Sequence, residues 1–377
     1  MKRILVKMPS ETHFGVNLIQ GLAAFMEKNE SWQLEVPGNR GWKPKLELED
    51  WDGDGIIIPL QRPQDLDILH AKQIPFVNIT AYPVLPTVQN DDQAMGRLAA
   101  EYFLSQGFLH FAWISKPNTI FGAERKKGFE GALSKQGVVP YIFEETLSVA
   151  NLKNFLVDLP RPCAIQLCTD MQAPSVYQAA NDLGLDIPGQ FAVMGMDDDI
   201  LGLTLLPPLS SIKPNGYRLG FEVGRALLDQ FQGKPAMTSP LRIPPVGITP
   251  RKSGSSYGYS DQNVSKALAY IRAHAQQGLL VAEVLNEVGL SRRNLERRFK
   301  NAVGHSLWRE MRRVQIEHIK NLLRGTRMPI KEIAQESAFP QPSRFSQVFK
   351  EETGETPLNY RSRKALNLKG SKTKYPQ

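Results

Sequence analysis

Six side chains in the first two thirds of the chain could together hold an uncharged polyol: Asp91, Arg125, Asp170, Asp197, Phe14 and Phe121. Carboxylates accept hydroxyl hydrogens, a guanidinium donates to ring or hydroxyl oxygens, and an aromatic ring covers the C–H face of a sugar. A second set, near the end, suits a nucleic acid. Arg293, Glu296 and Arg297 on one helical face, and Arg344 and Gln347 on a later one, are base-edge candidates, because Arg reads guanine and Glu accepts from cytosine in a major groove. Arg292, Lys300, Ser343 and Lys350 are placed for phosphate.

Each assignment has a plainer alternative. Asp91 or Asp92 could cap the helix that follows, and Arg125 could be an ordinary ion-pair residue on a helix face. The six histidines form no motif, and the aspartate spacing fits no calcium loop, so no metal or other cofactor is expected. Cys163 and Cys168 read as core thiols flanking a buried strand. No nucleophile elbow, HExxH or phosphate-binding glycine loop is present, and an enzyme is not expected.

The elements that must position the first set alternate. Apolar runs at 4–8, 55–60, 76–79, 111–114, 141–143, 165–168 and 191–196 read as strands. Between them, 14–28, 66–71, 93–106, 122–135, 173–183 and 217–231 carry apolar residues at helical spacing. Continuous apolar strands separated by helices predict an α/β fold with a parallel sheet covered on both faces. Such sheets bind ligands beyond the carboxyl ends of their strands, where Ser10-Glu11-Thr12-His13-Phe14, Asn90-Asp91-Asp92, Thr169-Asp170 and Asp197-Asp198-Asp199 all fall.

The second set belongs to a pattern written twice over residues 281–361. Val281, Val284, Leu285, Val288, Gly289, Leu295, Phe299 and Gly304 are followed about fifty residues later by Ile330, Ile333, Ala334, Phe339, Phe345, Phe349 and Gly354. Each copy predicts a short amphipathic helix, a tight corner and a second helix, the shape of a helix-turn-helix. Ser291 is expected to cap the second helix of the first copy, and Pro342 to start that of the second. A striped helix over 307–323 joins the copies.

Charge follows the same division. Residues 262–377 hold 22 Lys and Arg against 10 Asp and Glu, a net +12; residues 1–261 hold 24 against 28, a net −4. The whole excess of +8 therefore lies where a surface must meet phosphates. At 377 residues and 41% hydrophobic, the chain should form two or three globular domains. The expected domains are a sensor at 1–251, a linker at 252–261, a DNA-binding domain at 262–363 and a basic tail at 364–377. The brief apolar run after Met1 is too short for a signal peptide and no stretch approaches a membrane span, so a cytoplasmic protein with no membrane partner is expected.

The run Pro86-Thr87-Val88-Gln89-Asn90-Asp91-Asp92 with Gly96, and Arg125, Gly128-Phe129, Asp170, Gly195-Met196-Asp197-Asp198 and Pro208, resembles the effector domain of LacI/GalR repressors and their periplasmic sugar-binding relatives. The resemblance implies two α/β lobes closing on a sugar held at Asp91, Arg125, Asp170 and Asp197. It also implies three crossover strands, near 116–117, 211–212 and 244–251. Residues 264–361 resemble the AraC-type DNA-binding domain with two helix-turn-helix units. The matching residues are Leu295, Arg297, Phe299-Lys300 and Gly304, then Ile330, Glu332-Ile333-Ala334, Phe339, Phe345, Phe349-Lys350, Gly354, Thr356-Pro357 and Tyr360-Arg361. A sensor placed before such a domain resembles the bacterial regulators of xylose operons. That order implies a homodimer on double-stranded promoter DNA, D-xylose or another small sugar as effector, activation of pentose catabolism genes and contact with RNA polymerase.

Overall fold

The structure, a computed structural model, describes residues 1–8, 12–37, 47–117, 119–255, 258–259, 261–275, 278–326, 328–339 and 341–362. Ser10 and Glu11, part of the expected linker (256, 257 and 260) and the expected tail at 364–377 lie outside the described residues. The chain divides into two compact units, Met1–Gly258 and Tyr259–Gln377.

The first unit holds two sheets. Chain order begins with β1 (Lys2–Val6), α1 (His13–Lys28), β2 (Trp32–Glu35), β3 (Gly55–Ile58), α2 (Pro63–Lys72), β4 (Phe76–Asn78) and β5 (Val88–Asn90). Next come α3 (Asp92–Ser105), β6 (His110–Ile114), α4 (Ile120–Ser134), β7 (Tyr141–Phe143), α5 (Val149–Asp158), β8 (Cys163–Leu167), α6 (Ala173–Asp182), β9 (Phe191–Met196) and β10 (Ser210–Lys213). The chain then returns through α7 (Gly216–Phe231) and β11 (Leu241–Ile243) and ends with β12 (Gly247–Thr249). The first lobe is built on β2-β1-β3-β4, with β5 and β11 paired beside it; the second is built on β12-β10-β9-β8-β6-β7. Every pairing is parallel except that of β10 with β12.

The apolar runs explain this layering. Every residue of β3, β8 and β9 is buried, which requires helices on both faces of each sheet. In the first lobe Leu18, Leu22 and Phe25 of α1 and Leu219, Val223 and Leu227 of α7 cover one face, and Leu69 of α2 with Leu48 and Trp51 covers the other. In the second, α3 and α4 bury Met95, Phe103, Phe129 and Leu133 on one face, while α5 and α6 bury Leu152, Leu156, Val176 and Ala180 on the other. Cys163 and Cys168 are buried free thiols, and burial pushes them up to about 12 and about 11.

Neither β2 nor α5 falls in the expected runs, and β5 and β10 are too polar to read as apolar runs: their buried residues include Gln89, Ser210 and Ser211. The first crossover is not near 116–117, which follows β6 inside the second lobe. It falls at Asn90-Asp91-Asp92, between β5 and α3. The other two run from β10 to α7 and from β11 to β12. Within the span expected to be linker, Lys252–Gly254 forms a short 3-10 turn inside the first compact unit. Ser253 there is fully buried and donates its hydroxyl to the Val193 carbonyl at 2.6 Å.

The second unit is all helical among the described residues: α8 (Gln262–His274), α9 (Val281–Val288), α10 (Arg292–Val303), α11 (Leu307–Gly325), α12 (Ile330–Glu336) and α13 (Pro342–Thr353). Gly289, at φ 76°, turns the corner between α9 and α10, a conformation that glycine adopts without steric cost. The equivalent corner before α13 holds Ala338 at φ 58°, a left-handed backbone that costs an L residue about 1–2 kcal/mol. Ser291 precedes α10 without the side-chain cap expected of it, while Pro342 does open α13. Leu295 and Phe299 are fully buried, and Ile319, Leu323, Phe345, Phe349 and Tyr360 share one core.

Candidate sugar site and DNA-facing helices

A cavity of about 310 Å³ opens at the carboxyl ends of both sheets. The first lobe contributes Met8, Thr12, Phe14, Gln61, Thr80 and Asn90; the second contributes Asp92, Phe121, Arg125, Thr169, Asp170, Asp197 and Asp199. Five of the six expected residues therefore line one cavity, Phe14 from the first lobe and Phe121, Arg125, Asp170 and Asp197 from the second. Asp91 does not: its carboxylate caps α3 by accepting from the Ala94 N–H at 3.0 Å, and Asp92 takes the position facing the cavity. The two differ by one residue in where strand gives way to helix, a boundary that sequence places only to within a few residues.

Arg125 organises the second-lobe wall. Its Nε donates to Asp92 Oδ1 at 2.9 Å, its Nη1 to the Cys168 carbonyl at 2.6 Å and its Nη2 to Asp197 Oδ1 at 3.1 Å. Three of the five guanidinium N–H groups are thus engaged. The guanidinium lies 4.9 Å from the centroid of the Phe121 ring, which steadies both groups in the wall. Burial would lower the Arg125 pKa, but Asp197 and Asp92 outweigh it and hold the group charged.

Asp170 sits in a fitted cradle. Ser211 Oγ donates to its Oδ1 at 2.7 Å, and the Asp199 backbone N–H donates to its Oδ2 at 2.7 Å. A methyl group added at Gly195 would overlap Asp170 Oδ1, so glycine is required there to leave room for the carboxylate. Gly195→Ala is accordingly expected to push Asp170 out of position. We predict that sugar affinity falls by tenfold or more, about 1.4 kcal/mol, measurable by titration calorimetry. Unchanged affinity would remove Asp170 from the site.

Burial raises the Asp92 carboxyl despite Arg125, and raises Asp170 well above the usual range, Asp197 adding to the effect. Asp197 is pushed up to about 6, by burial against the opposing pull of Arg125. From its ordinary value of 3.8 up to about 6, the folded sensor binds more protons at Asp197 than the unfolded chain does, so this group lowers stability as pH rises through that window. A hydroxyl donating to Asp197 favours the charged carboxylate and would pull its pKa down. Sugar affinity is therefore expected to weaken as pH drops from 7.5 through about 6 to 5, with proton release on binding at pH 6. Calorimetry in two buffers of different ionisation enthalpy reads both effects, and an affinity flat across that range would contradict the role given to Asp197.

In the second unit, α10 exposes Arg292, Arg293, Arg297 and Lys300 on the side opposite Leu295 and Phe299, with Glu296 half-buried. On α13, Ser343, Arg344, Gln347 and Lys350 are exposed opposite Phe345 and Phe349. Arg344 Nη1 donates to Gln347 Oε1 at 3.1 Å, and Gln347 Nε2 donates to Glu351 at 2.9 Å, so these side chains are held as a row.

Comparison with known proteins places these sites in a class. A periplasmic binding protein-like domain model matches residues 100–254, and a helix-turn-helix domain model matches residues 284–363. The xylose operon regulatory protein of Escherichia coli K12 is 25% identical over 380 residues, covering 95% of this chain and 96% of that protein. The protein of the same name from Haemophilus influenzae is 28% identical over 327 residues, covering 82% and 84%. Among solved structures, the xylose-binding transcription activator XylR aligns with a TM-score of 0.61 at 25% identity, covering 96% of this chain and 98% of that one. A LacI family regulator from Enterococcus faecium with bound ribose shares the sensor fold, with a TM-score of 0.55 at 22% identity over 67% of this chain and 98% of that one.

The chain is a sugar-binding, sequence-specific DNA-binding transcription regulator. Its amino-terminal part has the two-lobed periplasmic-binding fold. The AraC-type assignment of the carboxyl-terminal part, with two helix-turn-helix units, is corrected. The matching model is a helix-turn-helix domain, met once across residues 284–363, and the findings support a single such domain behind a periplasmic-binding-like sensor. The physical reason lies in α11, which packs on α8 and α10 at one end and on α12 at the other and so builds all six helices into one domain. The sequence repeat is a repeat of packing, which does not by itself define a family. Among the described residues no helix is long and apolar enough to cross a membrane.

Proposed function

We propose that this regulator activates pentose catabolism genes, with D-xylose as effector. The observation that carries the reading is a cavity of about 310 Å³ in which four aspartates, Asp92, Asp170, Asp197 and Asp199, face one arginine. An excess of carboxylate repels acids and phosphorylated sugars and welcomes a neutral molecule rich in hydroxyl groups. Phe14 and Phe121 supply apolar faces from opposite lobes. The names of the regulators similar over most of the chain favour xylose within that class.

On the DNA side, Arg293, Glu296, Arg297, Arg344 and Gln347 read base edges, while Arg292, Lys300, Ser343 and Lys350 hold phosphates. The protein acts as a homodimer, and sugar binding shifts it towards a conformation with different promoter affinity and contact with RNA polymerase. A calorimetric panel of D-xylose, D-ribose, L-arabinose and D-glucose, with promoter-fragment binding measured in each sugar, tests the proposal. Xylose should bind tightest and change DNA affinity. Preference for another sugar would move the effector assignment, and failure to bind any promoter fragment would end the regulatory one.

A further inference from the structure

The loop after β9 carries three consecutive aspartates, and the middle one points elsewhere. Asp197 and Asp199 line the cavity, whereas Asp198 is 7% exposed and does not. Its backbone and that of Asp197 are both left-handed, with φ of 51° and 109°, which turns successive side chains to different sides at some cost in strain. The Asp198 carboxylate accepts from Arg251 Nη2 at 2.6 Å and from Thr249 Oγ1 at 3.0 Å, with Lys213 Nζ 3.9 Å away.

Both donors lie on the last segment of the sensor. Thr249 ends β12, and Arg251 precedes the buried turn Lys252–Gly254, after which the unit closes at Gly258. Arg251 is held on three further sides. Its Nη1 donates to the Leu209 carbonyl at 2.7 Å, its N–H donates to Ser210 Oγ at 2.8 Å, and its carbonyl accepts from that hydroxyl at 2.8 Å.

A continuous path joins this clamp to the sugar wall. Ser211 Oγ donates to Asp170 in the cavity and accepts from the Asp198 N–H at 3.0 Å, and Asp198 passes the connection to Arg251. The loop also touches the opposite lobe: Asp199 Oδ2 accepts from the His13 N–H at 3.2 Å, and His13 Nδ1 lies 2.6 Å from the Asp198 carbonyl. One rigid loop thus senses the sugar through Asp197 and Asp199, the far lobe through His13, and the sensor's exit through Arg251. Buried hydrogen-bonded charges in such a network have few intermediate positions, so a shift at one end is felt at the other.

We propose that the Asp198–Arg251 ion pair transmits sugar occupancy to the segment leading out of the sensor, making Arg251 a positioning residue for the regulatory switch. The inference rests on the reading that sugar alters DNA affinity. Removing the pair should leave the sugar site and the DNA-binding domain intact and uncouple them.

Full-length wild type, Arg251→Gln, Arg251→Lys and Thr249→Val are compared for D-xylose affinity without DNA, and for promoter affinity with and without saturating D-xylose. In R251Q, xylose affinity should stay within about threefold of wild type, while the ratio of the two promoter affinities falls towards one. R251K and T249V should keep intermediate ratios, so the test survives if R251Q does not fold. By reciprocity, DNA should no longer change the xylose affinity of R251Q. A wild-type ratio of one would overturn the sugar-dependent reading itself. A normal wild-type ratio retained in R251Q and T249V, or lost only in step with xylose affinity, would overturn the role of the ion pair.

Discussion

Arg125→Ala is expected to abolish measurable sugar binding and to cost the sensor about 3–5 kcal/mol of stability, the range for removing one partner from a buried ion pair. Side-chain exposure is 5% at Arg125 and 7% at Asp92, so the substitution would leave a nearly buried carboxylate without its counter-ion, with Asp197 losing its cation as well. Losing a charged donor from the cavity wall adds about 1.5–3 kcal/mol to the binding deficit, roughly 10- to 100-fold in affinity. The two aspartates already hold their protons more tightly than usual because of burial, and without Arg125 they would hold them more tightly still. Protonation then relieves the mutant, so the stability gap to wild type should narrow from pH 7.5 to pH 5. Thermal melts at the two pH values read the gap; one that widened on acidification would mean that Arg125 is not the counter-ion of these carboxylates.

The second large effect is expected on the other unit. Arg293→Ala and Arg297→Ala should each weaken promoter binding by about 1–3 kcal/mol and relax discrimination at one base position. Lys300→Ala and Arg292→Ala should instead weaken specific and non-specific DNA alike, each reducing the salt slope by about 0.9. Sugar affinity should be unchanged in all four. Fluorescence anisotropy over a salt series, on promoter and scrambled duplexes, separates the two patterns. If R297A lost promoter and scrambled DNA equally, Arg297 would be a phosphate contact and α10 would not lie with this edge in the groove.

How far the sequence revealed this architecture depended on the physical signal. The buried strands β3, β8 and β9 announced themselves because a fully covered parallel strand is an unbroken apolar run. β5 and β10 were illegible because they carry the buried polar residues Gln89, Ser210 and Ser211, and the last of these serves the site. Asp170, Asp197 and Arg125 could be anticipated from chemistry at strand ends. Asp92 could not be told from Asp91, since only three-dimensional placement shows which one spends its carboxylate on the Ala94 N–H. Asp199 was legible only as part of an acidic run, and Thr12 and Thr80 only as hydroxyls near strand ends. In the second unit the periodicity identified the buried faces of α10 and α13. The AraC-type assignment came instead from a resemblance at particular residues such as Arg297, Thr356-Pro357 and Tyr360-Arg361, and the single helix-turn-helix match over residues 284–363 overturns it.

For sugar to regulate transcription, the acidic cavity must control the basic helices. The most direct measurement is the affinity of the full-length protein for a fragment of a pentose-operon promoter, titrated at fixed salt with and without saturating D-xylose, in wild type and in Arg125→Ala. A promoter affinity that changes by roughly fivefold or more with xylose in wild type, and not at all in Arg125→Ala, is the predicted result. The same affinity in wild type with and without xylose, under conditions where calorimetry shows the site filled, would contradict it.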